Sequence, residues 1–522
     1  RWSLALALFC AVPLVPTVAQ AQPKTIRFIP ETEPTILDPV TSVLAVTQQH
    51  AYMIYDQLYG MDANGVAQPQ MVESDTVDAS GRTHRFVLRS GLKFHDGTAV
   101  RAADAVASIT RWAQRDVVGT KLREMGLRMA VIDDLTFTIT TDQATPLVLA
   151  GLAKSASPGL FVMREQDAKS DPTRLVTSHI GSGPFRFVES EYRAGNELVY
   201  ERNPDYVPRA EPASGYAGGK KVNVDRVEFH IVPDPATASN ALTNGEVDIY
   251  DAPPLDLVPL LRRQSAIQVR PLDHGGIMGV LRANQLHPPF DNAKIRQALL
   301  ASIDQTEMMP AVGGDEHGGW RTCYSFLGCG NPHPAENDMA AYRKPDLAEA
   351  KEILSASGYK GEPVFILQPT DNVVITPLTE ITVQRLKKVG FNMQVISTDW
   401  ASMLQRRAKM GTAAEGGWDL FLTWSYDFDL RSPATNFLLS GACKSAWFGW
   451  PCDPEMETLR NIWASEIDPT KQRADYEQIQ SHAAQTVPYV PLGEFLKQVA
   501  YRKSLTGLID VPITVFWNVS KQ

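Results

Sequence analysis

The sequence predicts an α/β protein built as two lobes, and three observations predict it. First, the chain has 522 residues, more than one hydrophobic core can organise. Second, from about Pro23 to Val280 turn-separated strands dominate, with a few helices. Third, from about Arg282 to Tyr489 strands and helices alternate. That alternation implies a parallel sheet with helices packed on it. No internal repeat, low-complexity tract or flexible linker separates the two territories, so ordered segments should carry the chain between them. The stretches 275–284 and 487–495 are the candidates. Hydrophobic residues make up 44% and charged residues 21%, which suits a soluble globular protein. The net charge of −9, without a long basic run, argues against nucleic acid as a principal partner.

The N-terminal stretch RWSLALALFCAVPLVPTVAQAQ has one basic residue, an apolar run and then Ala19-Gln20-Ala21. Small residues at Ala19 and Ala21 fit a signal-peptidase site, so residues 1–21 are expected to be a signal peptide, cleaved on export to the periplasm. An anchoring helix is the alternative, but the run contains Pro13 and Pro16 and is short for a bilayer. Cys10 follows Phe9, where a lipoprotein signal wants a small residue. No later stretch looks membrane-spanning. Export changes the reading of the other four cysteines, Cys323, Cys329, Cys443 and Cys452. An even number in an exported chain suggests disulfides. The local pairs Cys323–Cys329 and Cys443–Cys452 are the simplest of three connectivities, against four free buried thiols. Neither has redox or zinc spacing.

In chain order, THRFVLR (83–89) has a strand's rhythm, followed by a Ser90-Gly91 turn, a short strand Leu92-Lys93-Phe94 and a second turn His95-Asp96-Gly97-Thr98. Ala102, Ala105, Val106, Ile109 and Ala113 then recur at helical spacing. His95-Asp96-Gly97 could be read as part of an active site, but an Asp-Gly pair between a strand and a helix reads as a turn. Residues 184–206 read as a hairpin turning at Arg193–Asn196, and VDRVEFHIVPD as a strand. Asp234 and Pro235 open a helix that Asn244-Gly245 stops. Asp291 is expected to cap NAKIRQALLASIDQTEMM, and Asp346 to cap LAEAKEILSASG. VFILQP, FNMQVIS and WDLFLTW should be strands, with helices between them. Two helical stretches around 454–486, then strands PLGEFLKQVAYR and ITVFW, close the chain.

Catalytic motifs are absent from the sequence: there is no G-x-S-x-G elbow and no H-E-x-x-H. GYAGGKK (215–221) fails as a phosphate loop, because the Gly spacing is wrong and Lys221 stands where a Ser or Thr would hold magnesium. The ten His show no ligand-like pair on one helical face. No enzyme, cofactor or metal is expected.

The blocks PTILDP, IYDQLYGMDANG, LRSGLKFHDGTAVRAADAVASITR, GSGPFRFVE, LVYERNPDY, NGEVDI and FDNAKIRQALLASID follow one another along the chain. In that order they resemble the extracellular solute-binding proteins of the peptide/nickel class (family 5), soluble receptors of ABC importers. The resemblance implies a bilobed, Venus-flytrap periplasmic binding protein with an extra subdomain in lobe 1. Lobe 1 is expected at 22–280 with the small subdomain at roughly 61–183, lobe 2 at 281–490, and a C-terminal segment, 491–522, returning to lobe 1. It places the F-H-D-G block in the small subdomain and away from the ligand. Arg101 departs from the family's usual helix-capping Thr, although Asp104 can reach back to the helix start. The Cys443–Cys452 pair matches a loop that is disulfide-closed in some relatives.

The resemblance further implies capture of a peptide or peptide-like solute by lobe closure and delivery to permease subunits in the inner membrane, by a monomer. The alternatives are a nickel chelate, an opine or a glycoside, an enzyme such as a hydrolase on the same scaffold, or a chaperone-like role. Dipeptide-binding relatives hold the ligand carboxylate with an Arg after the strand matching VFILQP. Here TDNVVITP (370–377) has none. The ligand site is expected around WSYDFDLR (424–431), beyond the carboxyl end of WDLFLTW. Trp424, Tyr426 and Phe428 offer flat apolar area, and Asp427 or Asp429 a charge for an amino-bearing solute. Trp400 and Trp447 are weaker candidates, for which core packing is the competing reading.

Overall fold

The computed structural model describes residues 23–42, 44–155, 157–171, 174–314, 318–330 and 346–522. The expected signal peptide and Cys10 lie outside the described residues. One mixed sheet has seven strands, in the order Ile267–Pro271, Gln498–Arg502, Ile249–Asp251, Thr25–Ile29, Arg226–His230, Glu197–Arg202 and Phe185–Phe187. Its centre is parallel, Thr25–Ile29 running with both Arg226–His230 and Ile249–Asp251. A second sheet has six strands, in the order Trp320–Arg321, Val490–Phe495, Ile277–Ala283, Leu420–Tyr426, Pro363–Pro369 and Asn392–Thr398. The helix-connected strands 363–369, 392–398 and 420–426 are parallel, as the alternation requires. Ile277–Ala283 lies antiparallel to both of its neighbours, so the sheet is mixed rather than parallel throughout. The chain passes from the first sheet to the second between Pro271 and Ile277, and returns between Phe495 and Gln498.

A four-stranded antiparallel sheet, Val72–Val77, Thr83–Leu88, Thr136–Thr140 and Arg128–Val131, forms the small subdomain with the helix Ala102–Ala113. Its core holds Phe86, Trp112 and Phe137. The F-H-D-G block is the joint of this subdomain. His95 Nδ1 accepts from the Gly181 amide at 3.2 Å, and Nε2 faces Gly183 O at 3.2 Å. Asp96 Oδ1 accepts from the Thr98 amide at 3.0 Å. Gly181 and Gly183 are required here, because a Cβ at Gly181 would lie 1.8 Å from Ile54 O and one at Gly183 2.6 Å from Ile54 C. Arg101 makes no side-chain cap, while Asp104 Oδ2 accepts from the Arg101 amide at 2.7 Å.

Asp234 and Asp346 cap their helices, accepting from Thr237 N at 2.8 Å and Ala348 N at 2.7 Å. Three local expectations need correction. Leu92-Lys93-Phe94 is a single bridge, Lys93 to Ala99, because Gly91 and Gly97 at positive φ turn the chain on either side. The cap of the helix Ala293–Ser302 is Asn292, not Asp291, since the Asn292 side chain accepts from Lys294 N. ITVFW (513–517) joins no sheet. It is buried by side-chain packing, and Ile513 N donates to Tyr216 Oη at 2.8 Å in place of a ladder bond. Cys323 is bonded to Cys329 and Cys443 to Cys452. Among the described residues, no helix is long and apolar enough to cross a membrane.

Candidate functional site

Leu420–Tyr426 ends in a single helical turn, Asp427–Leu430. The Asp427 amide donates to Gly276 O at 3.0 Å, so this turn is tied to the segment by which the chain enters the second sheet. Two cavities open beside it, each walled by residues of both halves of the molecule. One, of about 350 Å³, has Asp62, Asp273 and Asp510 in its wall, with His274 and Arg431. The other, of about 610 Å³, has Lys154, Arg431 and Arg473, set among Val118, Leu147 and Trp463, and no carboxylate among its described lining residues. Phe428, Arg431, Met61, Asn64 and Ser155 line both.

Of the seven residues expected at the site, Phe428 lines these cavities and the other six are not among their described lining residues. Tyr426 stacks on Phe428 at 4.9 Å and 6°. Trp424 stacks on Trp400 at 5.3 Å and 9°. Trp447 belongs to an aromatic cluster with Phe421, Phe437 and Phe448, and the Arg282 and Arg407 guanidiniums lie 5.6 and 5.3 Å from its ring centre. Asp427 is fully buried; its Oδ2 accepts from Arg431 Nε and its Oδ1 from the Gly330 amide at 2.9 Å. Asp429 is part-buried. Burial pushes its carboxyl up to about 7, opposed by Lys154 and reinforced by Asp116 and Asp427. Lys154 itself is ion-paired with buried Asp116.

Two further polar clusters escaped sequence reasoning. At the return crossing, Lys497 Nζ lies 3.2 Å from Asp251 Oδ1 and 3.5 Å from Glu31 Oε2, and Gln49 donates to Asp251 at 3.0 Å. Burial works against the ammonium, but the two carboxylates outweigh it and hold Lys497 charged. Around the entry crossing, Arg321 Nε donates to Glu494 at 2.6 Å and the Cys329 amide donates to Glu494 at 2.9 Å. Burial pushes Glu494 up to about 7, with the Asp427 charge adding to the rise. Nothing in the local sequence marks these clusters, because their members come from distant segments. Arg431 did leave a signal: it follows Asp427 by four, the spacing of neighbours on a helical turn.

No metal-binding set presents itself among the described residues. Cys323, Cys329 and Glu494 come close together, but the sulfurs are bonded to each other. Glu197, Glu228 and His230 also cluster, with Glu228 already shared by Arg27 and Arg226.

Residues 66–446 match the family model described as bacterial extracellular solute-binding proteins, family 5 Middle. The chain belongs to the family 5 solute-binding proteins. It is 36% identical over 520 residues to a Sinorhizobium fredii protein named a probable peptide ABC transporter periplasmic-binding protein, covering 97% of this chain and 96% of the relative. It is 25% identical over 502 residues to a glutathione-binding protein of Pectobacterium atrosepticum, covering 92% and 91%. The fold of this family 5 protein matches that of an A. tumefaciens protein in complex with agropinic acid, with a TM-score of 0.75 and 20% identity over 95% of this chain and 99% of that one. It also matches a Pseudoalteromonas dipeptide-binding protein in complex with Met-Leu, with a TM-score of 0.74 and 19% identity over 96% and 100%. Those bilobed folds agree with the two main sheets and the clefts between them.

Proposed function

We propose that this family 5 protein is the solute-capturing component of an ABC importer, taking a peptide or peptide-like solute in the cleft between its lobes and delivering it to the membrane permease. The observation that carries this reading is the pair of cavities walled from both halves of the chain. A solute there is desolvated only when the lobes close, and its differential affinity for the closed form shifts the open–closed balance. The smaller cavity carries Asp62 and Asp273 beside Asp510, which is paired with Arg270; the larger carries no carboxylate among its described lining residues, and Arg431, Phe428 and Met61 line both. That polarity suits a zwitterionic solute with an apolar body. The relative named for peptide transport points the same way.

In this reading Phe428 is the apolar wall and Tyr426 backs it. Asp427 acts on the cleft through Arg431, Asp429 faces the Lys154–Asp116 pair of the other lobe, and Trp400, Trp424 and Trp447 stiffen lobe 2. The lobes divide near the two crossings, with the small subdomain at roughly 61–183 and the C-terminal segment returning to lobe 1. The protein acts as a periplasmic monomer without catalysis. N-terminal sequencing of the exported protein should begin at or near Gln22, and retention of residues 1–21 would contradict cleavage. The deciding experiment is mass spectrometry of small molecules released on denaturing the purified protein. A peptide or peptide-like compound is expected. A sugar or a nickel chelate would replace this reading with a receptor for another solute on the same fold.

A further inference from the structure

Arg431 is the cation that both cavities share. Its Nε is committed to Asp427. Its two terminal amino groups have no hydrogen-bond partner among the described residues, and its side chain keeps 29% of its surface exposed. A guanidinium fixed through Nε presents its outer edge as a planar pair of donors, the geometry that takes a carboxylate in two parallel bonds. The other cations of the larger cavity are less suited to the task. Lys154 is bound to Asp116, and Arg473 has a side chain 64% exposed, 3.4 Å from Glu477.

The seat of this guanidinium is built from backbone. A Cβ at Gly275 would lie 2.8 Å from Arg431 Nη2, and one at Gly330 2.9 Å from it, so two glycines leave the space the guanidinium occupies. Gly275 belongs to the entry crossing. Gly330 directly follows the Cys323–Cys329 loop, and its amide holds Asp427 Oδ1 at 2.9 Å. The chain of contacts therefore runs from the disulfide-closed loop to the Gly330 amide, to the Asp427 carboxylate, to Arg431 and into the cleft.

We propose that Arg431 is the specificity-determining cation of the cleft, receiving a carboxylate of the bound solute, and that Asp427 is its positioning residue, held in turn by the disulfide-closed loop. This rests on the reading of the cleft as the solute site and narrows the solute to one bearing a carboxylate at the basic end. The loop 370–377 lacks an Arg, and Arg431 supplies from another strand end the cation that this loop does not.

Thermal-shift titration with three probe pools tests it: tripeptides as free acids, the same tripeptides as C-terminal amides, and non-peptide mono- and dicarboxylates. The variants are Arg431→Gln, Arg431→Lys, Asp427→Asn and the double Asp427→Asn/Arg431→Gln, which removes both charges and leaves no buried carboxylate unpaired. Wild type should be stabilised by a carboxylate-bearing pool at least tenfold more tightly than by the amides. Arg431→Gln and the double variant should lose that preference while remaining folded without ligand. Arg431→Lys should restore part of it. Asp427→Asn should narrow the acid-to-amide ratio, a readout that a purely structural role would not move. Equal binding of acids and amides by wild type, a preference retained by the folded double variant, or no response to any carboxylate would overturn the proposal. A response to the non-peptide carboxylates alone would keep it and defeat the peptide reading instead.

Discussion

Lys220 buries its ammonium, and three neighbours make that tolerable. Its Nζ lies 2.7 Å from Asp56 Oδ1, with both side chains essentially unexposed. Tyr206 Oη donates to the other Asp56 oxygen at 2.8 Å, and the Trp517 ring lies 4.8 Å from the ammonium. Removing one partner of such a pair strands the other, so Lys220→Met should lower stability by about 3–5 kcal/mol in urea unfolding. A loss under about 1 kcal/mol would show that Asp56 finds other compensation. His95 contributes one pH dependence. Burial pushes its imidazole from 6.5 down to about 4, so the folded protein keeps it neutral while the unfolded chain protonates it. Between those values the unfolded state binds more protons, and stability falls as pH drops from about 6.5 towards 4. A His95→Gln variant should lack that contribution. Its stability deficit relative to wild type should shrink between pH 7 and pH 4.5, and a deficit constant with pH would contradict the assignment.

Helix ends and loop closures act at the level of the element. Capping by Asp234 and Asp346 was legible because an Asp before an apolar-periodic run has one geometric use. The Asn292 cap was missed because Asp291 and Asn292 are adjacent and both suit the role, and only the backbone path selects one. Each disulfide closes a short loop, six and nine residues apart in sequence. Alkylation of unreduced protein should find no free thiol at Cys323, Cys329, Cys443 or Cys452. Reducing either bond should cost about 2–3 kcal/mol, since the loop-closure entropy of a short loop is modest. Loss of the 323–329 bond has a second consequence if the contact chain to Arg431 holds, namely weaker solute binding.

For the whole molecule, the contact between the small subdomain and the second lobe matters most. Thr145 Oγ1 donates to Ala464 O at 2.6 Å in a buried position, and Lys121 Nζ reaches Asn461 Oδ1 at 2.7 Å. Trp463 packs against the cores of both. The helix Pro454–Ser465 thus carries the contact between the subdomain and the second lobe. Thr145→Val leaves the Ala464 carbonyl and the Leu147 amide unpaired, at a cost of about 1–3 kcal/mol, the first loss weakening the contact between subdomain and second lobe. Solution scattering of the ligand-free variant should report a larger radius of gyration than wild type. An unchanged radius would place the hinge balance elsewhere.

By itself the sequence determined the α/β class, the two territories and the family, and it pointed to one strand end as the place of the expected ligand site. These follow from periodicity, from turn residues and from blocks kept in order along the chain, all of which are local. Tertiary structure decided which charge that strand end presents. Asp427 and Asp429 read as alternative anions for an amino-bearing solute in the one-dimensional string, yet the chain folds a single helical turn there, buries Asp427 under the Gly330 amide and turns Arg431 towards the cavities. It also decided that 513–517 would be buried without a sheet, and that Lys497 and Glu494 would meet carboxylates and arginines from far along the chain. The physical reason is common to all of them. A buried charge is settled by partners that desolvation forces it to find, and those partners are brought together only by the packed fold.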